Sequence, residues 1–465
     1  MTVKWLDEAK QYETSFIEDL RSLIRIPSLK NEAEAAKGMP FGKGCRDALD
    51  TMLEMGRREG FTVKDIDGYA GVIEFGEGEE SVGVLGHLDI VPIGEGWSKD
   101  PLGGEIENGI MFGRGVLDDK GPGLAGFYAL KLIKDSKIPL KRKIMLIYGC
   151  DEESGMACMH YYKEHAEIPT MGFVPDANFP LIYGEKGILV VDLKGKQKTV
   201  IESIHAGERP NIVIGKADAI IRGWNAHMNS VFQFYLDTNQ LKGHVEQLDQ
   251  ERAHIFVEGK AAHAAMPYLG VNAALHILNF VGTAFHDKTC NSLYETLCDW
   301  QGKPCDIYKE GAVMGFLTMN TGVVELDENG IHVVIDIRYP NDTDKDTILK
   351  GIRDKLDAEN LTFDLTLGND KAPLYVDPNS KLVKTLEDTY RAYSQDQFTP
   401  IMTIGGGTYA RNFDNFVAYG PEFPNPKPSD IFVGGPHQED EGVHLDELML
   451  SIGIYAAALE KLAGA

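Results

Sequence analysis

Short apolar runs alternate with helically spaced stretches through the first part of the chain. VGVL, KIMLIYG and GFVP read as buried strands. Between the first two, GPGLAGFYALKLIKD reads as a helix opened by glycine and proline. At the N-terminus, Trp5, Ile17, Leu20, Leu23 and Ile24 are spaced as one apolar helix face. Alternation of this kind predicts a βαβ sheet with helices on both faces. The texture returns near the C-terminus, where LVKTLEDTYRAY and LDELMLSIGIYAAALEKL read as helices and PIMTI and FVAYG as strands.

The middle differs. From residue 187 to 376 the runs alternate apolar and polar positions, as in AHIFVEG and IHVVIDIRY. That is the pattern of half-exposed sheet, accompanied by helices such as NAALHILNFVGTAF. The expected organisation is therefore an α/β domain over residues 1–186 and 377–465, interrupted by an α+β domain over 187–376. DPNSKLVKTL marks the return.

Composition narrows the possible partners. Against 71 acidic residues stand 46 Lys plus Arg, a net charge of -25, which repels nucleic acid and anionic lipid. No apolar run reaches the length of a membrane span, and acids interrupt the N-terminal helix too often for a signal peptide. The six cysteines are scattered without C-x-x-C spacing, so a reducing cytoplasm is the expected compartment.

Chemistry collects where the predicted strands end. VGVL runs into His87 and Asp89, KIMLIYGC into Asp151, Glu152 and Glu153, and GFVP into Asp176. IFVGGP, read as a short strand, precedes His437, and GRGVLDDKGP places Asp118 and Asp119 before a helix. In open α/β sheets the carboxyl ends of the strands face the ligand crevice. Imidazole and carboxylate without thiolate suit zinc, and also manganese or cobalt. A pair of such ions needs a bridging carboxylate, and a separate carboxylate base to activate water. Glu152 and Glu153 offer a ligand and a base side by side.

As an ordered set, GHLDIVP, GRGVLDDKGP, DEESG, PDANFP, AAHAAMPYLGVNAA, IGGGTYAR and HQEDE resemble the di-zinc metallopeptidases that include carboxypeptidase G, aminoacylase and carnosinase. DIRYP, IGGGTYAR and the long insert are most similar to the PepV-type bacterial dipeptidases. The resemblance covers nearly the whole chain. It implies a three-layer αβα zinc-peptidase catalytic domain with an inserted α+β lid, and a cytoplasmic dipeptidase using two divalent ions, zinc first, with manganese or cobalt as alternatives. An N-acyl-amino-acid deacylase with the same metal chemistry is the nearest alternative. A non-catalytic binding protein of this fold is a more distant one.

Carried over residue by residue, the resemblance makes His87 and Asp176 ligands of one ion and Glu153 and His437 ligands of the other. Asp118 bridges them, since the bridging aspartate precedes x-Lys-Gly, and its peptide bond to Asp119 is expected to be cis. His437 is preferred to His444 because the ligand precedes x-x-[DN]-E. Glu152 is the implied base and Asp89 the group that orients His87. In the insert, His263 is the implied donor to the oxyanion, and Asn211 and Arg338 hold the substrate carboxylate. Gly406, Gly407 and Thr408 form a loop near the substrate. The length of the insert leaves room for two ferredoxin-like parts, with His263 on one and the other over about residues 290–376 on domain-size grounds. The expected state is a monomer acting on small peptides, with His263 serving its own chain and with no nucleic-acid or membrane partner.

Overall fold

A computed structural model describes residues 4–464. The chain forms two compact units. The first runs to Gly184 and resumes over Val376–Met402 and from Gly407 onward; the second holds Glu185–Tyr375 and Thr403–Gly406. Thus Thr403–Gly406, inside the stretch read as PIMTI and its glycine-rich continuation, groups with the second unit and not with the C-terminal segment around it.

The first unit is organised by a mixed sheet. Its strands run in the order Thr62–Ile66, Ala70–Phe75, Lys143–Gly149, Ser81–His87, Met171–Val174, Phe416–Ala418 and Ile182–Glu185. The four strands from Lys143–Gly149 to Phe416–Ala418 are mutually parallel, and antiparallel pairs flank them. Every residue of Ser81–His87 is buried, which is why its sequence reads as a continuous apolar run without alternation.

Close contacts at two glycines show the layering. Gly126 of the helix Lys120–Ser136 lies over Val84, where an added Cβ would come within 3.1 Å of the valine. On the opposite face, a Cβ on Gly149 would come within 2.9 Å of Cys158 Sγ in the helix Ala157–His165. Helices therefore cover both faces, and Leu445–Ala463 packs against Lys120–Ser136.

Two local expectations change. The N-terminal helix is two helices, Lys4–Lys10 and Glu13–Ile24. Trp5 lies on the first, so its phase is not that of Leu20, Leu23 and Ile24, and Phe16 rather than Ile17 completes the buried stripe. IFVGGP is not a strand, and only Gly434 makes a bridge, to Glu441. The preceding PNPKP removes alternate backbone donors and blocks entry into a ladder.

The second unit is built on one antiparallel sheet of eight strands. Their order is Lys242–Gln247, Arg252–Glu258, Lys216–Arg222, Ile201–Ala206, Thr318–Asp327, Gly330–Tyr339, Gly187–Gly195 and Phe363–Lys371. Leu189, Val191, Ile255, Val333, Ile335 and Ile337 point to one face. There they form a core with Phe232, Ile277, Leu293 and Ile352 of the covering helices. The sheet runs continuously across residue 290. The first strand, Gly187–Gly195, bonds on both edges between two C-terminal strands, and pairing of Ile201–Ala206 with Thr318–Asp327 fuses the halves.

Candidate metal centre

His87 is the last residue of its strand, and period two puts it on the face of Leu85 and Gly149. Its backbone N–H donates to Asp119 Oδ2 at 2.9 Å. Its Nδ1 lies 3.0 Å from the backbone oxygen of Asp89, which fixes Nε2 as the outward nitrogen. The Asp89 carboxylate is 3.5 Å from Nδ1 and accepts the backbone N–H groups of Glu152 and Glu153, each at 3.2 Å. Asp89 therefore orients His87 mainly through its main chain. Its side chain sets the turn that carries the two glutamates.

Asp118 stands between the two histidines. Its Oδ1 is 2.9 Å from His87 Nε2, and its Oδ2 is 3.0 Å from His437 Nε2. His437 Nε2 is also 3.1 Å from Glu153 Oε1, and Asp176 Oδ2 is 3.8 Å from His87 Nε2. The Asp118–Asp119 peptide is cis. Two groups have donor atoms mutually within 4.8 Å: His87, Asp118 and Glu153, and His87, Glu152 and Asp176. Glu152 thus shares one group with His87 and the implied ligand Asp176.

The electrostatics test whether cations fit. Asp118, Glu152, Glu153 and Asp176 converge with two imidazoles, and among the described residues no Lys or Arg pairs with any of the four. Burial pushes Glu152 up to about 8, helped by Glu153 and Asp118, and raises Glu153 and Asp176 as well. Asp118 is held well below the carboxylate range: the His437 and His87 hydrogen bonds outweigh its burial. His437 is raised to about 10 by Asp118 and Glu153. Four carboxylates with no fixed cation among them make a pocket that two divalent ions would neutralise, and nitrogen with carboxylate oxygen is a donor set for zinc, manganese or cobalt.

Several supporting residues escaped the sequence reading. Glu441 is fully buried; its Oε1 accepts from the backbone N–H of Gly115, Leu117 and Asp118 at 3.1, 2.9 and 3.2 Å. Its Oε2 pairs with Arg114 at 2.6 Å, and burial lifts this acid to about 7. The signal was present in HQEDE, whose final Glu follows the candidate ligand by four residues. Buried Lys120 donates to the carbonyls of Leu23 and Ile26 at 2.9 and 2.8 Å, and burial pushes it down to about 7. Asp151, already placed at its strand end by the sequence, accepts from Ala157 N–H and pairs with Lys30 at 3.0 Å.

Residues read from the insert lie in the second unit. Asn211 and His263 are on neighbouring segments joined by an Ile212–His263 bridge and an Ala264 N–H to Asn211 carbonyl bond of 2.9 Å. Arg338 is buried and held by Asp336. Gly406 belongs to the second unit and Gly407 to the first. Thr408 Oγ1 accepts from Ala410 N–H at 3.1 Å and caps a short turn.

Residues 83–461 match the family model for peptidase family M20/M25/M40. The chain is 38% identical over 475 residues to "Putative dipeptidase YtjP" of Bacillus subtilis (strain 168), covering 99% of this chain and all of that protein. It is 35% identical to a "Putative dipeptidase" of Staphylococcus epidermidis, with 98% and 99% covered. Among solved structures, the di-peptidase Dug1p of Saccharomyces cerevisiae aligns with a TM-score of 0.59 at 16% identity, covering 99% of this chain and 98% of that one. Human carnosine dipeptidase 1 aligns at 0.56 and 14%, covering 98% of each chain. At those identities the structures speak for the fold. With the sequence match spanning most of the chain, this protein belongs to peptidase family M20/M25/M40.

Proposed function

We propose that the protein is a metal-dependent dipeptidase. The observation that carries this reading is the placement of Asp118, with one carboxylate oxygen facing each imidazole inside a cluster of acids that no Lys or Arg among the described residues neutralises. The similar proteins named as dipeptidases support the choice of substrate. His87 and Asp176 would hold one ion, Glu153 and His437 the other, and Asp118 both. Bound there, the ions would polarise the scissile carbonyl and acidify the attacking water. Zinc is the first choice for this donor set, ahead of manganese and cobalt.

The chain's own residues do the rest. Glu152 takes the proton of the attacking water and delivers it to the leaving amine. A carboxylate raised by burial suits both directions of that transfer. Asp89 fixes the tautomer of His87 and the turn of Glu152 at once. His263 donates to the developing oxyanion, a contribution of about 3 kcal/mol in hydrolases where such donors were removed. Arg338 and Asn211 hold the free carboxylate, for which a guanidinium fork is well shaped. We further propose a cytoplasmic monomer; six unpaired thiols fit a reducing compartment, and among the described residues no helix is long and apolar enough to cross a membrane.

The test is a substrate panel with each metal restored after chelation: Ala-His, a tripeptide extending it, and N-acetyl-His. Preferred turnover of the dipeptide supports the reading. Preferred turnover of the acetylated amino acid would make the protein a deacylase, and turnover of none with any metal would leave a binding protein of this fold.

A further inference from the structure

Four polar residues occupy adjacent positions on the face of the second unit's sheet opposite its helix-packed core. Thr318 and Asn320 lie on one strand, Asp336 and Arg338 on the next. Thr318 is paired with Arg338 and Asn320 with Asp336, so the four form a square. All are at most 5% exposed. An ion pair in such a place adds little over apolar residues of the same volume. What the square holds is therefore more telling than what it contributes to stability.

Each corner reaches a different segment. Thr318 Oγ1 donates to the carbonyl of Ala264 at 3.2 Å, next to His263. Asn320 Nδ2 donates to the carbonyls of Pro210 and Ile212 at 2.8 and 3.1 Å, on either side of Asn211. Asp336 takes Arg338 side-on, with Oδ1 2.5 Å from Nε and Oδ2 2.8 Å from Nη2. Arg338 Nη1 donates to the carbonyl of Gly405 at 3.2 Å, beside Gly406. Three of the five guanidinium donors are thus committed within the described residues. One donor on Nη1 and one on Nη2 remain, and a guanidinium can offer two such donors to the two oxygens of a carboxylate.

We infer that Asp336 is a positioning residue for substrate recognition: with Asn320 and Thr318 it preassembles Arg338 and Asn211 into one rigid reader of a peptide's terminal carboxylate and holds the segment of His263 beside them. The inference rests on the dipeptidase reading and extends it to the residues that act through Arg338. Sites fixed by buried hydrogen bonds on strands keep their geometry better than sites on free loops. Neutralising Asp336 would leave Arg338 in place but release its aim.

The test uses the full-length, metal-reconstituted chain and two substrates with the same scissile bond, Ala-Ala and its C-terminal amide. The quantity read is the ratio of kcat/KM for the acid to that for the amide. In the wild type this ratio should be large. In Asp336→Asn it should fall about tenfold, through KM for the acid and with kcat little changed, because a loosened fork loses ground-state carboxylate binding. A general structural defect would lower both substrates alike and leave the ratio unmoved, and that result overturns the inference. Should Asp336→Asn not fold, Asp336→Glu shifts the same carboxylate by one methylene and is read on the same ratio: a fall of about threefold supports the inference and no change overturns it. A wild-type ratio near one would instead remove Arg338 as the carboxylate reader, and the inference with it.

Discussion

Glu441 holds Asp118 by its main chain: Glu441 Oε1 accepts the Asp118 N–H at 3.2 Å, together with those of Gly115 and Leu117. The loop that carries His437 is thereby tied to the loop that carries the proposed bridging carboxylate. Glu441→Ala should weaken metal binding about 10- to 100-fold, the usual cost of losing a partner that orients a ligand. It also strands buried Arg114, a loss of about 3 kcal/mol of stability. Metal titration of the chelated protein and thermal melting read the two effects.

Glu152 separates the two roles that its position allows. As the base, Glu152→Gln should bind both ions with unchanged stoichiometry and lose turnover by roughly 10³-fold. Bound metal measured by elemental analysis decides. Loss of one ion would make Glu152 a ligand, as its closeness to His87 and Asp176 permits.

Stability of the metal-free protein should depend on pH in a defined direction. Glu152, raised to about 8, and Glu153 and Asp176, also raised, bind protons more tightly folded than unfolded. Raised His437 and His87 act in the same sense. Their contribution is full below the unfolded values and is lost as pH rises through the folded ones, so the chelated protein should melt lower at pH 8.5 than at pH 5.5. Depressed Asp118 works oppositely, but only below its unfolded value near 3.8. Restored metal should give its larger melting shift at the higher pH. An equal or smaller shift there would mean that these acids are not the ligands.

The monomer proposal has a direct readout. Mixing Glu152→Gln with His263→Ala should yield no recovered activity if each chain uses its own histidine. Recovery would show that the histidine is donated between subunits.

The sequence was most legible where chemistry and secondary structure share a position. His87, Glu152, Glu153 and Asp176 all follow buried apolar runs, so their convergence could be read from strand ends. His437 was placed by its neighbours and not by a strand; its residue has a left-handed backbone, φ 66°, on a loop that periodicity cannot describe. Glu441 and Asp336 were hidden for another reason. Each is a buried acid, Glu441 held by backbone N–H groups and distant Arg114, Asp336 by an arginine two residues away, and composition marks such residues as surface. The sheet of the second unit was recognisable as alternation, but its order was not. Nothing local says that Gly187–Gly195 will pair with strands more than a hundred residues later.

Two ions, held by one cluster, would activate the water that cleaves a dipeptide. Titrating the chelated protein with zinc, and separately with manganese, while following Ala-His hydrolysis tests it most directly. Activity should climb to a plateau at two equivalents of metal per chain and stay roughly 10³-fold lower in Glu152→Gln at every point. A plateau at one equivalent, or hydrolysis that survives full chelation, would contradict it.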